Sequence, residues 1–175
     1  GEIYLKKYNY LEAEKYFSKA YKIRELYKKE NPLSLSFSYT KIGEFYQEKG
    51  DFNKSEKFYL KSLKIQKSFL GENHPSTAIS LIYLADLNSK QGLYKKEEEY
   101  LLKAKTIAYS NDLDFSYLAV LTSLADLYLR KGFYNEAEET SLIALKITEV
   151  KDHKIPIYLR LSNLYKAKRS FKKAE

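Results

Sequence analysis

The chain predicts an all-α solenoid, a stack of antiparallel helix pairs. One stretch of text recurs after each turn: Lys7-Tyr8-Asn9-Tyr10-Leu11-Glu12-Ala13-Glu14, then Lys49 to Glu56, Gln91 to Glu98, Lys131 to Glu138 and Lys168 to Glu175. The spacing is nearly constant, at 42 residues from Tyr8 to Gly50, 42 from Gly50 to Gly92 and 40 from Gly92 to Gly132, with 37 from Gly132 to Arg169. Within each unit apolar residues return at helical spacing, and in the three middle units a glycine divides the unit in two. Such a unit cannot bury its apolar face alone, so copies stack.

Each unit resolves into a helix A and a helix B. In the third, Leu70 to Ile107, Pro75 and Ser76 form a natural start for helix A, because Ser caps and Pro fits the first turn. Leu81, Leu84 and Ala85 share its inner face. Gly92 stops it, since glycine takes the left-handed conformation at little cost. Helix B then runs from Tyr94 to Ser110 with Leu101, Ala104 and Ile107 inward. By the same register helix A spans Ser34 to Glu48, Asp114 to Arg130 and Ile155 to Ala167 in the other units. Helix B spans Tyr10 to Tyr27, Phe52 to Phe69 and Tyr134 to Val150. Ile23, Ile65, Ile107 and Ile147 mark one inward position. The array divides into 1–30 (partial), 31–72, 73–112, 113–152 and 153–175 (partial).

Small residues recur where helices approach closely: Gly43, Ala85, Ala125 and Ser162 on A, and Ala13, Ser55, Ala137 and Ala174 on B. Aromatics flank them: Tyr46, Tyr128 and Tyr165 late in A, and Phe52, Tyr94, Tyr134 and Phe171 early in B. Their repeat-equivalent placement reads as core rather than as a base-stacking surface. The third unit departs from the pattern, with Asn88 where its siblings have Tyr and Glu97 where they have Ala or Ser. The expectation is that the smaller Asn88 makes room and a hydrogen bond for Glu97, because an unpaired buried carboxylate is costly.

The chain has no cysteine, which excludes disulfides, thiolate metal sites and a Cys nucleophile. The formal net charge is +8. The lysines are scattered over every helix rather than clustered, so they read as a general surface habit. Nucleic-acid binding through a Lys-rich face is the lesser alternative. No apolar run approaches the roughly 20 residues of a membrane span. Gly1 is not a natural start, and both ends fall inside a repeat, so the expectation is a part of a longer array.

Catalysis needs converging groups. His74 and His153 are the only histidines, about two units apart and both in inter-repeat turns. Glu97, Glu98 and Glu99 form an acidic run with no matching ligand set and read as a solvated face. No phosphate loop, zinc pair or calcium loop is present. The expectation is therefore no enzyme, no catalytic or metal residue and no cofactor.

The text Leu70-Gly71-Glu72-Asn73-His74-Pro75-Ser76-Thr77-Ala78, with Leu84-Ala85-Asp86-Leu87, Gly92, Tyr94 and Glu98 to Ile107, resembles the tetratricopeptide repeat in its 42-residue, kinesin-light-chain-like form. Leu124-Ala125-Asp126-Leu127-Tyr128, Gly132, Tyr134 and Glu136-Ala137-Glu138 repeat it. The resemblance covers essentially the whole chain. It implies a right-handed superhelix whose A helices line a concave groove for a peptide or helix of a partner, as a cytoplasmic scaffold for protein–protein interaction. Similar arrays also serve as sensors joined to CHAT-type proteases, nucleotide-binding switches or phosphatases.

The groove positions follow by register. One row holds Glu44, Asp86, Asp126 and Asn163. One turn earlier lie Thr40, Ile82, Thr122 and Leu159, each followed by Lys41, Tyr83, Ser123 and Arg160. Family members that grip a C-terminal carboxylate carry Lys and Asn at the first two of these rows, which this chain does not. The Asn ladder favoured at the third row by kinesin-light-chain-like repeats is missing too. The acidic row Glu44, Asp86 and Asp126, with apolar Ile82, Tyr83 and Leu159, instead favours a partner segment with basic and apolar side chains.

Overall fold

The computed structural model describes residues 10–27, 29–111, 114–148 and 151–172, and among them eight helices and no strand. They are α1 (Tyr10–Leu26), α2 (Pro32–Glu48), α3 (Phe52–Leu70), α4 (Pro75–Lys90), α5 (Tyr94–Ser110), α6 (Asp114–Lys131), α7 (Tyr134–Ile147) and α8 (Lys151–Lys172). Helices α2 and α3, α4 and α5, and α6 and α7 form hairpins. Each hairpin packs on the next through its B helix, α3 on α4 and α5 on α6.

The turns explain the helix ends. Gly50, Gly92 and Gly132 have φ of +80°, +70° and +77°, and each closes an A helix. Asn31 Oδ1 accepts from the Ser34 amide at 3.0 Å, so α2 starts at Pro32, two residues before the expected Ser34. His74, rather than Ser76, caps α4: its Nδ1 accepts from the Ser76 amide at 3.1 Å. The histidine therefore has the local hydrogen-bonding job that its turn suggests. Helix α7 stops at Ile147, short of Val150, because Thr148 is extended.

The last A helix differs most from expectation. It begins at Lys151 rather than Ile155, so Pro156 lies inside it. It also runs through Lys168 and Arg169, where the register placed a turn. The reason is local: Arg169 stands where the three middle units have Gly50, Gly92 and Gly132, and an L-residue resists the left-handed bend. Gly1, Tyr8 and Ala174 lie outside the described residues, as does the side chain of Phe171.

The core is one apolar cluster shared by α3 to α6, built from Leu81, Leu84 and Leu87, Leu101 and Ile107, and Val120, Leu124 and Leu127. A second cluster joins Leu121, Ala144, Ile157 and Leu161. Of the four isoleucines, only Ile107 is buried. Ile23 is 59% exposed, because α1 packs chiefly on α2 and leaves its other face uncovered. Ser162 is exposed too, unlike Gly43, Ala85 and Ala125, for no following B helix covers it among the described residues. The flanking aromatics are not core either. Tyr46, Tyr128, Phe52 and Tyr134 are half-buried, while Tyr94 and Tyr165 are exposed.

Within the first of these hairpins the close approach is a pair. Tyr59 of α3 lies against Gly43, and by register Leu101 and Ser141 are the equivalents of Tyr59 while Ala85 and Ala125 are the equivalents of Gly43. Ser55 fixes the hairpin of α2 and α3 further, donating from Oγ to the Gly43 carbonyl at 2.8 Å.

Between hairpins a carboxylate clamp repeats. Glu14 accepts from Tyr46 Oη and Lys49 Nζ, both at 3.1 Å. Glu98 accepts from Lys131 Nζ at 2.7 Å and faces Tyr128, whose pKa rises through burial and then through that charge. Glu138 accepts from Tyr165 Oη at 2.6 Å and pairs with Lys168. The lysine contacts hold Glu14 and Glu138 below the usual glutamate range. The junction of α3 with α4 is the exception. Asn88 and Gln91 stand at the Tyr and Lys positions, and Glu56 is instead 3.7 Å from Lys96.

Candidate functional site

Helices α2, α4, α6 and α8 present the register rows. The structure brings Ile82, Asp86, Ser123 and Asp126 together around a hollow of about 490 Å³ between α4 and α6. Thr40, Lys41 and Tyr83 meet at a second, of about 310 Å³, beside Leu33, Phe37 and Ile79. Thr122 is half-buried, its Oγ1 donating to the Ala119 carbonyl at 2.8 Å, and lines neither. Leu159 and Asn163 on α8 are exposed and line neither. Arg160, by contrast, turns toward α6 and pairs with Asp126, its Nη2 2.8 Å from Oδ2.

The acidic row is engaged from within. Glu44 accepts from Lys41 Nζ at 3.0 Å on its own helix. Asp86 accepts from Gln47 Nε2 at 2.7 Å and lies 3.5 Å from Lys90 Nζ. Asp126 holds Arg160. Gln47 also accepts from Tyr59 Oη at 3.2 Å, so a polar relay runs from Tyr59 through Gln47 to Asp86. Tyr83 stacks on Tyr59 with ring centroids 5.4 Å apart. Burial and then the Glu44 carboxylate raise the Tyr83 pKa.

The floor of the larger hollow is Glu97 and Leu101 of α5. Glu97 is 3% exposed, so the acidic run is not a solvated face at this position. The expected bond from Asn88 is not formed. Asn88 Nδ2 donates to the Leu84 carbonyl of its own helix at 2.7 Å. The partner of Glu97 is Arg130 of α6, whose Nη2 is 2.5 Å from Oε1. A guanidinium from the next hairpin carries a formal charge to meet the carboxylate, which a neutral amide cannot supply. Arg130 is held in turn by the Asp126 carbonyl at 3.3 Å and by the Tyr94 ring at 5.1 Å.

Leu101, Leu129 and Arg130 line the hollow but do not lie on the register rows. Glu97 was visible as a departure from the repeat. Arg130 carried no such signal, because it sits at the end of helix A, where basic residues are ordinary. Among the described residues no group of His, Asp and Glu is placed to hold a metal ion. No described helix is long and apolar enough to cross a membrane.

Residues 34–110 match the tetratricopeptide repeat family. No curated protein matches the chain in sequence. Among solved structures, BtubC (BKLC) of P. vanneervenii superposes with a TM-score of 0.85 at 22% identity, over 99% of this chain and 72% of that one. A putative kinesin light chain with nearly identical TPR-like repeats from Podosopora anserina gives 0.81 at 22% identity, over 99% and 85%. The tetratricopeptide-repeat sensor protein of the signal transduction ATPase class from Pyrococcus horikoshii gives 0.72 at 24%, over 95% of this chain and 24% of that one. These identities speak to the fold alone. Residues 34–110 match tetratricopeptide repeats, and the chain shares the all-α solenoid fold of these structures.

Proposed function

We propose that this array is a non-catalytic scaffold that holds a peptide or helix of a protein partner along the face of α2, α4, α6 and α8. The observation that carries the reading is the hollow between α4 and α6. It lies between consecutive A helices and is lined from the predicted rows by Ile82, Asp86, Ser123 and Asp126. Side-chain-sized hollows with apolar walls and a few polar groups are how a groove selects a segment. The exposed Leu33, Phe37 and Ile79 at the second hollow extend the apolar surface. Because carboxylates outnumber cations in the larger hollow, the occupant carries basic as well as apolar side chains. A cytoplasmic setting belongs to the same reading.

The test is selection of random displayed peptides on the full chain. The selected sequences are expected to be rich in basic and apolar residues. Their binding is expected to fall about tenfold or more in Asp86→Lys with Asp126→Lys. Selected peptides that bind the double variant as well as the wild type overturn the groove.

A second reading is favoured by the Pyrococcus structure, in which a tetratricopeptide array is the sensor of a multidomain ATPase. Here the array regulates an attached domain, a nucleotide-binding switch rather than a protease or phosphatase. Its test is the nucleotide-hydrolysis rate of the whole polypeptide with and without a groove-binding peptide, which an independent scaffold leaves unchanged. Nucleic-acid binding remains the lesser alternative, and a steep loss of binding with salt is its signature.

A further inference from the structure

We propose that the hollow between α4 and α6 takes a single lysine side chain of the bound segment, with its ammonium on Glu97. The proposal rests on the groove reading and narrows it to one residue of the occupant.

Glu97 is the group that asks for a ligand. It is almost fully buried at the floor of the hollow, and only Oε1 is used, by Arg130. Oε2 has no hydrogen-bond partner among the described residues. A buried acceptor left unmade is unfavourable, so a donor delivered to it gains more than the same contact at the surface. The rim acids are already served, Asp86 by Gln47 and Lys90 and Asp126 by Arg160. The unclaimed acceptor is therefore the second oxygen of Glu97.

The geometry chooses between the two basic side chains. A guanidinium binds best as a fork across both oxygens of one carboxylate, and Arg130 already holds one of them. An ammonium is a point charge that one oxygen suits. The walls fit its stem, because Ile82, Ala85, Leu101 and Leu129 offer apolar surface to four methylenes. The site is also particular to this hairpin. Ser55 and Ala137 stand where Glu97 does, and Tyr59, at the position of Leu101, reaches across to stack on Tyr83. Leu101 is too short to do so, and the space lies above it.

The experiment uses three pools of random peptides with a fixed central Lys, Arg or norleucine. Each is titrated against the full chain, Glu97→Gln, and the double variant Ala85→Gly with Leu101→Tyr. The double variant copies the Gly43–Tyr59 arrangement, so the new ring has room, and circular dichroism checks its fold. The Lys pool is expected to bind the wild type about tenfold better than the other two. Glu97→Gln is expected to abolish the preference for Lys over norleucine, and the double variant, which fills the space that both stems use, is expected to weaken both pools and leave no Lys preference. Equal binding of the Lys and norleucine pools to the wild type overturns the assignment while sparing the groove, as does a Lys preference that survives both variants. If no pool binds at all, the groove reading falls with it.

Discussion

A Cβ built on Gly43 would stand 2.6 Å from Cδ1 and Cε1 of Tyr59. The ring cannot simply swing aside, because Tyr59 is hydrogen-bonded to Gln47 at 3.2 Å and stacked on Tyr83. Two effects oppose each other in Gly43→Ala. Alanine favours the helix by about 1 kcal/mol, and overpacking costs about 1–3 kcal/mol. The blocked ring decides for the second, so the variant loses about 1 kcal/mol by urea denaturation. Adding Tyr59→Leu, which copies Ala85 and Leu101, is expected to recover most of that loss.

The pair of Glu97 and Arg130 predicts an asymmetric double-mutant cycle. Arg130→Met strands a buried carboxylate, a loss of about 1–3 kcal/mol after allowing for the third of Arg130 that is exposed. Glu97→Ala copies Ala137 and costs less than about 1 kcal/mol, because Arg130 is free to turn to water. In the Glu97→Ala background Arg130→Met is then nearly neutral. If it costs the same in both backgrounds, the ion pair does not stabilise the junction.

The positive φ of +77° at Gly132 makes Gly132→Ala a loss of about 1–2 kcal/mol, since nothing else lies near the new methyl group. The converse variant, Arg169→Gly, is expected to weaken the end of α8. Carbon chemical shifts at residues 169–172 should move from helical toward random-coil values, and unchanged shifts would mean that the missing glycine is not what carries the helix onward.

Stability should fall at both ends of the pH scale. Glu14 and Glu138 have folded pKa values below the ordinary 4.5, chiefly through Lys49 and Lys168. Their contribution is present above that value and lost as pH falls through the lowered folded values. Burial raises Tyr39 and Tyr59 far above the ordinary 10.0, and Tyr83 less far. Their contribution is full below about 10 and is lost as pH rises from there through the raised values. Thermal midpoints across both windows test this. Glu138→Gln should flatten the acid limb and leave in place the part of the alkaline limb that belongs to Tyr39, Tyr59 and Tyr83.

Much of the solenoid was legible because its signals are local. Gly50, Gly92 and Gly132 each end a helix through their own backbone freedom, and spacing alone reveals them. Leu84 and Leu124 likewise announce an inner face by period. What escaped was relational. Ile23 and Ser162 occupy the same registers as buried siblings, but burial depends on a neighbouring helix that a register does not contain. Glu97 stood out in its repeat, yet its partner lies 33 residues on, in the next hairpin. Periodicity compares equivalent positions, and Arg130 is not equivalent to anything near Glu97. Ile82, Asp86, Ser123 and Asp126 were readable as positions on A helices, while Glu97 and Leu101, which line the same hollow, belong to a different helix.

The fit of Gly43 against Tyr59 bears on what such a chain can exchange by duplication. That fit is settled inside one hairpin, so α2 and α3 are exchangeable together and not singly. The Glu clamps at three junctions act as a common coupling, letting one hairpin follow another. The hairpin of α4 and α5 breaks that interchangeability in two ways. It offers Asn88 and Gln91 to the carboxylate before it, and it depends on Arg130 from the hairpin after it. Copying it elsewhere without its successor would export a stranded acid.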